Sequence, residues 1–286
     1  SENKIILEVI LDYMKQYKIT PYIETTGKGL IRHVLIRKGF TTGEIMVCLV
    51  INGDKLPQEE KLVTALRKVE GMTSISININ KEKTNVIMGK EIRLLYGKEQ
   101  IEDEIDGITF KISPLSFYQV NPKQTELLYN KAIEYAGLTG KERVFDAYCG
   151  TGTIGIIASQ KAGQVIGVEL NKDAVRDAIT NAKRNDVHNI RFYNEDAGRF
   201  MVEMAEQKEK VDVVIMDPPR TGSDEAFLSS VVKLSPGKVV YVSCGPESLA
   251  RDLKYLTRHG YKVKEISPFD CFPFTAHIET VCLLTK

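Results

Sequence analysis

The strongest constraint in this 286-residue chain is an alternation that begins near residue 122. Short apolar runs, such as Val211-Asp212-Val213-Val214-Ile215-Met216 and Val239-Val240-Tyr241-Val242, are each separated by stretches with helical spacing. Runs of this length and β-branched content suit strands buried on both faces. Strands are expected over 143–147, 164–169, 190–194, 211–217, 238–243, 261–268 and 280–284. Helices are expected over 122–136, 153–161, 172–185, 200–206, 225–232 and 246–257, the first entered through Asn121 and Pro122. Strand and helix in alternation specify a doubly wound α/β sheet, a Rossmann-like domain over 114–286.

The first third, 1–113, reads differently. Ile5, Ile6, Val9, Ile10, Tyr13, Met14 and Tyr17 form one apolar face of a helix over 2–17. Strands are expected over 30–37, 44–52, 74–80, 91–96 and 108–113, with a helix over 56–69. This is a smaller α+β unit on a mainly antiparallel sheet. The acidic Glu102-Asp103-Glu104-Ile105-Asp106-Gly107 reads as a solvated hairpin turn. Hydrophobic residues make up 43% and charged ones 27%, the balance of a folded, water-facing protein. No apolar run approaches the roughly 20 residues of a membrane span, so no membrane partner is expected. A net charge of +1 speaks against a strongly basic coat but leaves room for a local basic rim. The five cysteines include no CxxC pair, so neither a disulfide framework nor a metal site is indicated. The expected setting is cytoplasmic, and the expected state a monomer.

Four segments carry chemistry. In Val144-Phe145-Asp146-Ala147-Tyr148-Cys149-Gly150-Thr151-Gly152-Thr153, a buried strand ends in Asp146 and runs into glycines. Gly150 and Gly152 let backbone amides approach a ligand at the next helix N-terminus. Glu169 ends the following strand, placed to accept ribose hydroxyls, and Asp196 follows the next, placed to face an adenine. Carboxylates at successive strand ends favour S-adenosylmethionine. NAD is the nearest rival, but no hydride-transfer site is apparent. In Asp217-Pro218-Pro219-Arg220, the carboxylate is aimed at a planar base edge and the guanidinium at phosphate or a stacked ring. In Ser243-Cys244-Gly245-Pro246 a thiol stands at a strand end before a helix, whose N-terminus should lower its pKa. Cys48 and Cys282 lie within apolar strands and read as small buried hydrophobes. In Phe272-Pro273-Phe274-Thr275-Ala276-His277-Ile278-Glu279, Glu279 meets the last strand, where partial desolvation makes a carboxylate a useful base. His277 reads as an orienting or packing residue.

Taken in order, with Ser116-Phe117-Tyr118-Gln119-Val120-Asn121, these segments resemble the RNA uracil-C5 methyltransferase family. The resemblance covers 114–286, and Gly29-Leu30-Ile31-Arg32-His33 is similar to that family's central, RNA-facing domain. It implies that Cys244 adds to uracil C6, that C5 takes the methyl of S-adenosylmethionine, and that Glu279 removes the C5 proton, with Asp217 in the catalytic group. Gln119, Tyr148, Gly150, Thr153, Glu169, Asp196 and Asp217 would hold the cofactor or base, and Arg220, Phe117 and His277 the substrate. The target uridine would have to leave its stack. The Phe117–Asn121 stretch is nearer the ribosomal branch, implying structured RNA, 23S ribosomal RNA, as partner. Two departures stand out. Phe274 occupies a position where members often carry His. The N-terminal β-barrel of many members and the iron–sulfur cysteines of some are missing, so no cluster is expected and N-terminal material is expected to be absent. Transfer RNA as substrate, amino-group methylation without a nucleophilic cysteine, and a non-catalytic RNA-binding module are the competing readings.

Overall fold

The computed structural model describes residues 1–116 and 118–286. They form two units, Ser1–Glu104 with Phe110–Ser116, and Ile105–Thr109 with Phe117–Lys286.

In the first unit, helix α1 (Glu2–Gln16) precedes strands β1 (Ile31–Lys38) and β2 (Ile45–Ile51), helix α2 (Glu59–Leu66), and strands β3 (Met72–Ile79) and β4 (Glu91–Gly97). The sheet runs β1-β2-β3-β4, antiparallel except for the β2/β3 pair that α2 connects. Every residue of β2 is buried, and Ile6, Ile10 and Tyr13 of α1 pack into the same core. α2 is shorter than its apolar pattern suggested, because Gln58 takes a left-handed conformation with φ +50 and starts the helix late. The acidic segment is a hairpin turn only at Asp106 and Gly107; its first half is strand. It forms strand β5 (Ile101–Ile105), paired in a two-stranded sheet with β6 (Ile108–Ile112) around Asp106 and Gly107. Asp103 is fully buried and accepts a 2.9 Å hydrogen bond from the Thr41 amide, so alternation along a strand, not charge, decided its placement.

The second unit holds α3 (Pro122–Ala136), β7 (Arg143–Ala147), α4 (Thr153–Ser159), β8 (Gln164–Glu169), α5 (Lys172–Arg184), β9 (Ile190–Asn194), α6 (Ala197–Glu206), β10 (Val213–Met216), α7 (Glu225–Leu234), β11 (Lys238–Ser243), α8 (Pro246–Arg258), β12 (Lys262–Phe269) and β13 (Glu279–Thr285). Its seven-stranded sheet is ordered β12-β13-β11-β10-β7-β8-β9. β13 runs antiparallel to both neighbours; the strands from β11 to β9 are parallel. This is a doubly wound, Rossmann-like α/β domain. Val144, Phe145 and Ala147 of β7 and all of β10 are buried, as strands covered by helices on both faces must be.

Helix starts are set by local chemistry. Asn121 accepts from the Gln124 amide ahead of α3, Asn171 from Asp173 and Ala174 ahead of α5, and Asp224 from Phe227 ahead of α7. Asp196 accepts from the Arg199 amide at 2.9 Å and opens α6 at Ala197, three residues before the expected start. The order reverses direction between β7 and β10, since β8 and β9 lie on one side and β11 on the other. Crevices at such a switch point are where open α/β sheets take ligands. Among the described residues, no helix is long and apolar enough to cross a membrane.

Candidate active site

The loop after β7 occupies that crevice. Tyr148 takes φ +60, unusual for a residue with a side chain, and Gly150 and Gly152 follow at +54 and +82. The glycines differ in purpose. A Cβ added at Gly150 would meet nothing within 4 Å, whereas one at Gly152 would lie 2.7 Å from the Phe192 ring. Gly150 therefore faces open space, and Gly152 is there for packing and to cap α4, not to admit a ligand. Gly150, Gly152 and Gly155 stand at the GxGxxG spacing of dinucleotide sites, so spacing alone does not separate the two cofactor classes. Glu169 closes the loop from the side. One of its oxygens accepts from the Gly150 amide at 3.1 Å and the other from Asn171 at 2.8 Å. A carboxylate has lone pairs left after two such bonds.

A cavity of about 70 Å³ opens beside this loop, lined by Gln119, Tyr129, Tyr148, Gly150, Thr153 and Asp217, among others. Tyr129 was not singled out from sequence. Its hydroxyl hydrogen-bonds the Gln119 side chain, and burial raises its pKa. Asp196 is exposed, serves as the α6 cap, and does not line the cavity. An open backbone cradle at Gly150, with an acidic group behind it and polar side chains around it, fits the nucleoside and amino-acid ends of a methyl donor.

The reactive cluster lies at the ends of β10, β11 and β13. Asp217 follows β10, Cys244 follows β11, and Glu279 opens β13, which pairs directly with β11 at Ser243 and Thr280. Glu279 is 5% exposed, and burial raises its pKa while Arg220 lowers it. Asp217 keeps part of its surface on the cavity, yet desolvation and then the Glu279 carboxylate push it up to about 7. Asp146, on β7, is 1% exposed, and neither of its oxygens has a hydrogen-bond partner among the described residues. Burial first, then Asp217, lift it to about 8; the nearby Gly155 amide, which falls short of a well-formed hydrogen bond, lowers it. One Asp146 oxygen sits 2.6 Å from where a Gly155 Cβ would stand, which is why that helical position is glycine.

Cys244 is half-buried, unlike Cys48, Cys149, Cys271 and Cys282, which are buried. Its thiol pKa is raised, by burial first, then by Glu279 and Asp217, against a lowering by Arg220. The expectation that the helix N-terminus lowers it is therefore corrected. Cys244 lies outside Gly245, the residue that caps α8, and burial with two nearby carboxylates raises its pKa.

His277 and Phe274 are exposed. His277 lies edge-on to Phe272 at 6.3 Å, and Phe274 stands at the tip of its turn with φ +67 and no burial at all. Phe117 falls outside the described residues.

Comparison with known proteins agrees with this geometry. The model of the tRNA (uracil-5-)-methyltransferase family matches residues 39–286. A protein of Caldanaerobacter subterraneus described as an uncharacterized RNA methyltransferase is 47% identical over 99% of this chain, and one from Clostridium tetani 46% over 98%. The chain belongs to the tRNA (uracil-5-)-methyltransferase family. It spans 63% and 61% of the length of those two relatives. The crystal structure of the Pyrococcus abyssi tRNA (uracil-54, C5)-methyltransferase with S-adenosyl-L-homocysteine superposes with TM-score 0.82 at 32% identity, covering 97% of this chain and 66% of that one. A Streptococcus mutans methyltransferase, at 14% identity and TM-score 0.58, shares the fold; the overlap covers 84% of this chain and 69% of that one.

Proposed function

We propose that this chain methylates C5 of a uridine in structured RNA, using S-adenosylmethionine, through a covalent bond between Cys244 and C6. The observation that carries the reading is the convergence of a half-exposed thiol, a buried carboxylate and a guanidinium on adjoining strand ends, beside the Gly150 cavity. S-adenosylmethionine supplies an electrophilic methyl group when bound. Gln119, Tyr148, Gly150, Thr153, Glu169 and Asp217 would hold it, with Asp217 shared with the base edge; Asp196, exposed outside the cavity, would reach only an adenine that extends beyond it.

Uracil C5 is a poor nucleophile until C6 is attacked. The Cys244 sulfur forms a bond to C6, and the C5–C6 π pair moves onto the C4 carbonyl as an enolate. C5 would then bond the methyl carbon as the methyl–sulfur bond of the sulfonium breaks, its electron pair staying on sulfur to leave S-adenosylhomocysteine. Glu279 takes the C5 proton, the pair returns to C5–C6, and the Cys244–C6 bond breaks to free the thiolate. A desolvated carboxylate such as Glu279 holds a proton more tightly than one in water, which suits the base. Arg220 is the cation that opposes the two carboxylates at Cys244, so it favours the thiolate, and its exposed guanidinium would pair with an RNA phosphate.

Ribosomal RNA is the substrate suggested by the Phe117–Asn121 stretch. Transfer RNA is a second reading, favoured by the 0.82 TM-score to the transfer-RNA enzyme. The test uses 5-fluorouridine-substituted 23S fragments and transfer RNA transcripts in parallel, with S-adenosylmethionine. Fluorine at C5 cannot leave as a proton does, so a protein–RNA adduct stable on a denaturing gel is expected, absent in Cys244→Ala. Which RNA forms it selects the substrate. Methyl transfer that persists in Cys244→Ala would remove the covalent mechanism in favour of amino-group methylation.

A further inference from the structure

Behind the reactive cluster lies a polar network that no step above uses. Asp252 of α8 is fully buried on the stripe that also carries Leu249 and Leu256. A carboxylate there needs donors to be tolerated, and it has them. One oxygen accepts from the Ser223 amide at 2.9 Å and the Tyr241 hydroxyl at 2.8 Å; the other accepts from Arg251 Nε at 2.8 Å. Arg251 also donates to the Ser223 carbonyl at 2.9 Å. The Tyr148 hydroxyl of the glycine loop donates to Ser223 Oγ at 3.2 Å. Gly222, with φ +75, lets the chain pass so close that a Cβ there would lie 2.6 Å from Asp252 and 2.5 Å from Arg251. At the far side, a Cβ on Gly245 would lie 3.1 Å from the Arg220 carbonyl, so the Arg220 segment rests against the Cys244 turn.

We infer that Asp252 is a positioning residue that locks the Asp217–Ser223 loop, the Tyr148 side of the cofactor loop and the Cys244 turn into one arrangement. This deepens the methyl-transfer reading and rests on it. Three strand ends must present an acid, a cation and a thiol in register. The prolines stiffen only the start of the loop that carries two of them, and Asp252 fixes its other end at Ser223. Tyr241, three residues before Cys244 on β11, ties the same carboxylate to the nucleophile's strand.

The experiment compares wild type, Asp252→Asn, Gly222→Ala and Tyr241→Phe in methyl transfer to RNA, in S-adenosylhomocysteine binding by calorimetry and in amide hydrogen exchange, below the melting temperature of each. Asn keeps the shape of Asp but turns an amide donor toward existing donors. A small misalignment at a reacting centre costs up to about 100-fold. The expectation for Asp252→Asn is therefore kcat lower by about 30-fold with KM for RNA within about 3-fold. Exchange at Ser223 should quicken by about 10-fold while β7 and β10 stay protected. Gly222→Ala should reproduce this from the other side of the contact, and Tyr241→Phe, which removes one hydroxyl, should lower kcat by about 3-fold. Unchanged kcat in a folded Asp252→Asn overturns the inference, even if it melts earlier, because Asp252 would then be a structural anchor only. Inactive wild type would instead sink the methyl-transfer reading. Affinity for S-adenosylhomocysteine then decides: about 10-fold weaker in Asp252→Asn through the Tyr148 contact supports the lock, and equal affinity overturns it.

Discussion

Two buried aspartates in one domain show opposite solutions. Asp252, fully buried, is met by a backbone amide, a phenol and a guanidinium. Asp146, 1% exposed, has no partner for either oxygen among the described residues and is lifted to about 8. The first is satisfied inside the protein and holds elements together. The second sits with Asp217 and Glu279 in a group of buried carboxylates: burial first raises all three, and repulsion adds to it for Asp146 and Asp217. Buried polar groups are normally paired, so an orphan one strand away from Asp217 marks a site that stability alone did not shape.

The comparison breaks most visibly at Glu279. If these buried carboxylates serve chemistry, Glu279→Gln should lower turnover by about 1000-fold and trap the adduct on ordinary uridine RNA, with little change in melting temperature. Gel-shifted adduct without product checks this; normal turnover would put the base elsewhere. Next in size is the thiol. Its raised pKa means alkylation of Cys244 by iodoacetamide should quicken by about tenfold per pH unit from 7 to 9. Mass spectrometry with Cys244→Ala as control reads it, and a rate flat above pH 6 would show a thiolate already formed.

Gly152→Ala should destabilise by about 2–3 kcal/mol, from left-handed strain plus the Phe192 clash. Gly150→Ala carries the strain alone, about 1 kcal/mol, yet should weaken S-adenosylhomocysteine binding more for its stability loss. Urea melts and calorimetry separate the two. Smallest is Asp146→Asn. A carboxyl held at about 8 when folded, against an ordinary 3.8, binds its proton more tightly in the fold. That contribution is full below about pH 4 and is lost as pH rises toward 8. Replacing the carboxyl by an amide removes the loss, so between pH 5 and 8 the variant's melting temperature should fall less than wild type's. An equal fall would mean that Asp146 is solvated.

The doubly wound domain was legible from residue order, because strands covered on both faces leave apolar runs that no helix pattern mimics. Strands β7, β8, β9 and β11 fall at the residues their runs predict. The chemistry-bearing segments were legible for a related reason: a reactive residue at a strand end breaks an apolar run with a polar one. Local pattern misled where partners lie far along the chain. Asp103 looked solvated and is buried against Thr41. Cys244 looked activated by the helix after it, but burial first, then carboxylates from two other strands, raise its pKa. Asp252 left one trace, a charge on the apolar stripe of α8, and the pattern could not say that Ser223 and Tyr241 would meet it. Periodicity and turn chemistry act over a few residues and are written in the order of the chain. Desolvation, charge repulsion and shared donors act through space, so the protonation of this site was decided only when the strands came together.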